Sequence, residues 1–229
     1  MNPLRHKLFR DLRRLWIQAI AAGTVLGCGI AIFVMSIGTD ASLESARDDY
    51  YQKSKMADLT TTLVRAPDSI APFLALLPGV AAIETRTVGF GLIDLSTVDE
   101  PVTAQLLSLP DGRRPTVNDL VLRAGRWPEA HRTNEALLNE AFATAHGIEP
   151  GGTISLLIRG ERKRFNIVGV ASSPEFVFAV APGSILPEPG RFGVLWINRS
   201  TLASALELDG AFNDVVLRIF REISCNRQR

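Results

Sequence analysis

The residues able to carry chemistry are few and scattered along the chain. Three histidines, His6, His131 and His146, stand isolated from one another, and no spacing of His, Cys, Asp or Glu has the form of a metal site. Neither a G-x-x-x-x-G-K-[ST] phosphate cradle nor a G-x-S-x-G nucleophile elbow occurs. Ser172-Ser173 sits in a proline-bounded stretch without a neighbouring histidine to activate it. Cys28 falls inside an apolar run and Cys225 far beyond it, so the two do not pair within one chain. Asn198-Arg199-Ser200 has the form of a glycosylation acceptor and reads equally as helix-capping residues. The expectation is a protein with no catalytic site, no cofactor and no bound metal. A net charge of +1, with no basic run interleaved with aromatics past the first turns, argues against nucleic acid as a partner.

What organises the chain is residues 15–37, LWIQAIAAGTVLGCGIAIFVMSI, which carry no charge. Roughly 23 residues at about 1.5 Å each make a helix of about 34 Å, enough to cross a hydrocarbon layer of ~30 Å. A helix satisfies its own backbone hydrogen bonds, which lipid cannot do for it. A cleaved signal peptide is the alternative, with Thr39 and Ala41 as the small-residue site, but its apolar core is ordinarily about 7–15 residues. Arg5, Lys7, Arg10, Arg13 and Arg14 precede the span against a single Asp11, whereas Asp40, Glu44, Asp48 and Asp49 follow it. Basic residues resist translocation, so the amino terminus is expected in the cytoplasm and everything after residue 37 outside. Residues 1–14 place Leu4, Leu8, Leu12 and Leu15 on one side of a basic amphipathic helix, able to lie among lipid headgroups.

Within the span Ala19, Gly23, Gly27 and Ala31 recur every four residues, and Gly23 and Gly27 make a G-x-x-x-G pair. Small residues on one stripe let a second membrane helix approach closely. No later apolar run is long enough to supply that helix, so the partner is expected on another chain or to be missing.

Residues 38–56 read as a helical stalk, and 57–218 as a packed α+β domain of soluble composition. The β-branched run 58–65 predicts a strand, and Pro67 opens a short helix that Pro78-Gly79 stops. Residues 80–95 then predict one long strand with a bulge at Gly89 and Gly91. Further strands are expected at 101–109, 120–123 and 136–138, with Asn139 capping a helix over 140–146 that ends at Gly147. A hairpin turns at Gly160-Glu161, residues 172–189 form a proline-broken loop, and a strand at 192–197 leads to a helix and a last strand at 213–219. Opening and closing on strand-helix-strand suggests a split βαβ lobe interrupted by a second, β-rich lobe at about 101–190.

This order of parts resembles the amino-terminal half of FtsX-like, MacB-type ABC transporter permeases. The stretches that carry the resemblance are LRRLWIQAIA, LLPGVAAIETR, LRAGRWP, NEAFATAHGIEPGGTISLLIRGERKRFNIVGVASSPEF and FGVLWINRSTLASAL, reaching to about residue 217. They are packing and turn signals with no catalytic residue among them. The resemblance implies an α+β fold with a porter-like lobe and an inserted lobe outside an inner membrane, in contact with membrane lipid. It also implies a homodimer, a separate ABC ATPase subunit, a periplasmic adaptor protein, and motion relayed outward for export or for lipid and lipoprotein handling. Such permeases carry three further membrane helices, and the polar tail 219–229 departs from that pattern, which leads to the expectation of a truncated product. A single-pass adaptor or receptor domain of the cell envelope, and a secreted domain freed by signal cleavage, are the competing expectations. Replacing Gly23 and Gly27 together by Leu is expected to abolish crosslinking of the span to neighbouring membrane helices, whereas an adaptor that merely uses the span as an anchor retains its behaviour.

Overall fold

The computed structural model describes residues 16–95, 102–177, 179–180, 183 and 188–220. The five topology determinants Arg5, Lys7, Arg10, Arg13 and Arg14, the amphipathic helix expected over 1–14, part of the proline-broken loop and the tail beyond 220 lie outside them. The described chain divides into two units, one ending at Tyr50 and one beginning at Tyr51.

The first unit is helical. Helix α1, Trp16–Lys53, contains a 24-residue stretch, Trp16–Thr39, of mean hydropathy 2.2, long and apolar enough to cross a membrane. Its apolar side chains, among them Val25, Ile32 and Met35, lie exposed. Thr24 donates its hydroxyl to the carbonyl of Ile20 one turn back at 2.8 Å, which pairs a polar group that lipid would leave unpaired.

In the second unit the strands fall into two sheets. Seven strands build the larger: β3 Val88–Asp94, β4 Val102–Leu109, β5 Val121–Gly125, β6 Glu135–Asn139, β7 Thr153–Ile158, β8 Glu161–Ser172 and β9 Phe192–Asn198, in the order β5-β8-β6-β9-β4-β3-β7. The long β8 pairs its first half with β7 and its second half with β6, so the order returns on itself and leaves few free edges. Alternate residues of the central strands enter two different cores. On β9, Leu195 and Ile197 join Leu106, Leu138, Phe142 and Phe165, while Phe192, Val194 and Trp196 join Leu107, Leu120 and Leu137. All seven residues of β9 are buried, as a strand covered on both faces requires. The hairpin between β7 and β8 turns at Arg159-Gly160, one residue earlier than expected, with both in the left-handed region that such a two-residue turn demands.

The smaller sheet has β1 Leu59–Pro67, β2 Val80–Arg86 and β10 Ala211–Ile219, with β10 in the middle and both pairings antiparallel. Between β1 and β2 come a 3-10 turn, Asp68–Ile70, and α2, Ala71–Ala75. Helices α3, Glu140–His146, and α4, Arg199–Ala205, complete the domain, and Gly147 ends α3 in the left-handed conformation expected of it.

Residues 80–95 are not one strand. The chain leaves the small sheet after Arg86 and enters the large one at Val88. Two side chains take over the backbone groups at the break: the Ser108 hydroxyl accepts from Thr87 N at 2.8 Å, and the Asn213 amide accepts from Val88 N and donates to Val88 O. Nor do Gly89 and Gly91 form a bulge, because β3 pairs with β4 without a register shift. A Cβ on Gly89 would stand 2.6 Å from Leu206, and one on Gly91 3.0 Å from the carbonyl of Leu157, so these glycines make room for neighbours.

The expected helix caps also differ. The Asn139 carbonyl oxygen of the side chain accepts from Val194 N, tying β6 to β9, and caps nothing. Asn198 likewise directs its amide to the carbonyls of Glu129 and Arg132, while the start of α4 is capped by Asp111, which accepts from Ser200 N and Oγ.

Gly125, within LRAGRWP, has φ of +79°, and a Cβ there would meet the carbonyl oxygen of Val168 at 2.3 Å. Gly125→Ala is therefore expected to destabilise the domain by about 2–4 kcal/mol, combining left-handed strain with a clash against fixed backbone. Gly160→Ala, where φ is +86° and space is open, serves as the comparison and should cost about 1 kcal/mol in the same chemical denaturation.

Candidate functional site: a charged joint between the two sheets

The small sheet contributes little to either core. Strand β1 is exposed over nearly its whole length, and α2 buries no residue. Beside Ala211, Phe212, Val215 and Val216, which β10 buries, directed polar contacts tie it to the rest of the unit. Thr62, Asp214 and Arg86 stand side by side on β1, β10 and β2, because the register places Asp214 opposite both of the others. Cross-strand neighbours on one face are close enough to bond. Arg86 donates from Nε to Asp214 at 2.8 Å, and Thr62 donates to the same carboxylate at 3.3 Å.

Nη2 also stands 2.7 Å from Asp214, and both Nη groups reach out of the small sheet. Nη1 and Nη2 donate to the two carboxylate oxygens of Glu175 at 2.7 and 2.9 Å. Glu175 is presented by the 3-10 turn Pro174–Phe176 that follows β8, and Ser173 fixes that turn by accepting from Glu175 N. The fork geometry matches guanidinium to carboxylate at two points. Burial works against the charge on Arg86, yet its two carboxylate partners raise its pKa above the ordinary arginine value, so it stays a cation. Burial also pushes the Asp214 carboxyl up, against the pull of Arg86 and with repulsion from Glu175 adding to the rise.

Asn118 extends this network to the start of the unit. Its side-chain amide donates to Glu175 at 2.9 Å, its side-chain oxygen accepts from Ala57 N at 2.7 Å, and its backbone N–H donates to the carbonyl of Lys55. Asp119 N donates in turn to the carbonyl of Ser54, which is itself buried. Asn118 reaches these partners with φ of +52°, a conformation that asparagine tolerates better than most residues. The backbone of residues 54–57, which follow the end of α1, is therefore held at Lys55 and Ala57 by Asn118 and at Ser54 by Asp119.

Further ties run parallel to this one. Glu84 on β2 is buried and accepts from Arg113 at two points and from Thr116 N and Oγ1. Burial works against its ionised form, but Arg113 and Thr116 outweigh it and hold the carboxyl below its ordinary 4.5. Arg199, at the start of α4, donates to Thr85 and pairs with Asp68.

None of these residues was singled out in the sequence as a site, although Glu84 and Arg86 lie in LLPGVAAIETR and Glu175 in the SSPEF end of its motif. The residues that were singled out lie elsewhere. Gly23, Gly27 and Ala31 are exposed along α1, where a Cβ on either glycine would meet open space, and Ala19 stands one turn before Gly23. His146 packs against Phe142 and bonds the carbonyl of Gly190, a structural role. No group of metal-ligating side chains occurs among the described residues.

The described residues thus comprise an apolar helix and an α+β unit with a charged joint. No family model and no curated relative matches the chain. Among solved structures it is similar to the extracellular domain of the noncanonic ABC-type transporter YknZ from Gram-positive bacteria, at 10% identity and a TM-score of 0.48, covering 71% of this chain and 83% of that one. It is also similar to the periplasmic region of MacB from Actinobacillus actinomycetemcomitans, at 14% identity and a TM-score of 0.43, covering 73% and 69%. A domain of a protein from Porphyromonas gingivalis, described as a permease, matches at 15% identity and a TM-score of 0.41, covering 75% and 71%.

Removing one member of the joint leaves charge uncompensated. Arg86→Met is expected to destabilise the unit by about 3–5 kcal/mol, and adding Glu175→Gln and Asp214→Asn should restore part of the loss in equilibrium unfolding. Because Glu84 titrates below its ordinary value when folded, its contribution is complete above pH 4.5 and lost as pH falls through the lower folded pKa. Glu84→Gln should therefore cost most at neutral pH, with the difference from the unmodified chain shrinking as pH falls below 4.5 and through the lower folded pKa.

Proposed function

We propose that this chain is the first membrane helix and outer domain of an FtsX-like, MacB-type permease that works with a separate ABC ATPase subunit. In this reading α1 crosses the inner membrane once, with the basic start in the cytoplasm and the α+β unit outside. Its stripe of Ala19, Gly23, Gly27 and Ala31 packs against other membrane helices, including those of a second copy. The unit performs no chemistry of its own; it receives motion generated by ATP hydrolysis on the other side and presents it to an exported substrate, to lipid or lipoprotein, or to a periplasmic adaptor.

The observation that supports this most directly is the grip of Asn118 on residues 54–57. A displacement of the chain entering the unit acts on Asn118, then on Glu175, and through Arg86 on both sheets, because each link is a short, directed hydrogen bond. An anchored domain whose only need is tethering has no use for such a connection at its point of entry. The length and composition of α1 and the charge asymmetry around it agree with the topology.

The test uses the whole chain, recovered from its own membranes in nanodiscs. An ABC ATPase, identified by its phosphate-binding loop, is expected to co-purify and hydrolyse ATP, and Asn118→Ala is expected to change the hydrolysis rate of the recovered complex severalfold. Externally added protease should cleave the unit in intact spheroplasts. Recovery of the chain without an ATPase, or protection of the unit from outside protease, would overturn the reading.

A further inference from the structure

On the far side of Glu84 and Arg113 from the small sheet, the loops after β4 and β5 enclose a cleft of about 460 Å³. That volume is in the range of sites for small organic ligands. Its apolar lining includes Pro110, Trp127 and Pro128, and its polar lining includes Arg114 and His131. Two other charged residues line it, and both are committed elsewhere. Arg113 gives its guanidinium to Glu84 at two points, and Glu129 pairs with Arg126 and Arg132.

Arg114 is different. Its guanidinium lies over the Trp127 ring, 4.9 Å from the centroid. Attraction between the cation and the ring face restrains the guanidinium at the wall of the cleft. Its hydrogen bond to the carbonyl of Leu120 is long, at 3.5 Å, and the Asp119 carboxylate is 3.7 Å from Nε, outside hydrogen-bond reach. Trp127 is fixed from behind, since it packs against the core that holds Leu107 and Trp196. The cleft thus combines a rigid aromatic and proline surface with one oriented cation whose donors are largely uncommitted, and a second nitrogen donor on His131.

We propose that this cleft is a binding site for a small organic anion: a carboxylate carried on a flat apolar body, the carboxylate meeting Arg114 and the body lying against Pro110, Pro128 and the exposed edge of Trp127. Two parallel N–H donors from one guanidinium suit a carboxylate; Glu129 in the lining is paired with Arg126 and Arg132, and a ligand carboxylate would compete with Asp119 for Arg114. The site is independent of the proposed function, since it needs neither the membrane helix nor an ATPase.

The experiment uses the full chain in nanodiscs with its three tryptophans, Trp16, Trp127 and Trp196, replaced by 5-fluorotryptophan. Trp127→Phe assigns the signal of that residue. Titration with 2-naphthoate is expected to move the Trp127 resonance saturably and leave Trp16 and Trp196 in place. The neutral 2-naphthamide should bind at least tenfold more weakly, and Arg114→Gln should lose at least tenfold in affinity for naphthoate while unfolding at the same denaturant concentration. Arg114→Lys, which keeps charge without the fork, should fall between. No movement of Trp127 at millimolar naphthoate, equal binding of acid and amide, or undiminished binding to Arg114→Gln would each overturn the proposal.

Discussion

A buried guanidinium must be neutralised where it sits, and the second unit is arranged around meeting that requirement for Arg86. Two carboxylates do so, Asp214 from the adjacent strand and Glu175 from the turn after β8, more than eighty positions away. Desolvating three charged groups costs several kcal/mol per ion, and their attraction recovers most of that only when the geometry is good. The joint is therefore a poor adhesive and a strict alignment device. It tolerates one placement of the small sheet against the loops of the large one and penalises others steeply.

That property complements how apolar burial is distributed. The large sheet, returning on itself through β8, buries two cores on the two sides of β4, β6 and β9. The small sheet leaves Phe73, Leu76 and Val64 exposed, buries Phe212, Val215 and Val216 on β10, and is aligned by the polar contacts of Glu84, Arg86, Arg199 and Asn213. Directed polar contacts lose strength abruptly when displaced, whereas apolar contact slides at small cost. A part joined in this way moves with its neighbour or separates from it.

Residue 87 shows how the same constraint shapes the chain path. By pattern, 80–95 is one long strand with a bulge at Gly89 and Gly91, and nothing local marks residue 87 as the point where it changes sheets. Ser108 and Asn213 create that point by accepting the backbone groups a continuing strand would have given to a neighbour. Once the chain turns there, Glu84 and Arg86 face the joint while Val88 onward pairs with β4. The two glycines that follow then make room for the Leu206 side chain and the Leu157 carbonyl.

What the residues determine on their own is whatever depends on near neighbours in the chain. An apolar run of membrane length, the alternation in β7, the apolar run of β9, the turn at Gly160 and the stop at Gly147 all follow from patterning or from one residue's backbone freedom, and each appears in the structure where the pattern puts it, within a residue or two. Asn139 and Asn198 look like caps by the same local logic, yet both turn their amides to distant backbone, because a buried strand end offers stronger claims than the adjacent helix does. The joint was not readable at all. Asn118 and Ala57 are 61 positions apart and Arg86 and Asp214 are 128 apart, and each residue taken singly is an ordinary polar side chain. Only folding removes the water around them, and desolvation is what turns a set of scattered charges into a network with one allowed arrangement.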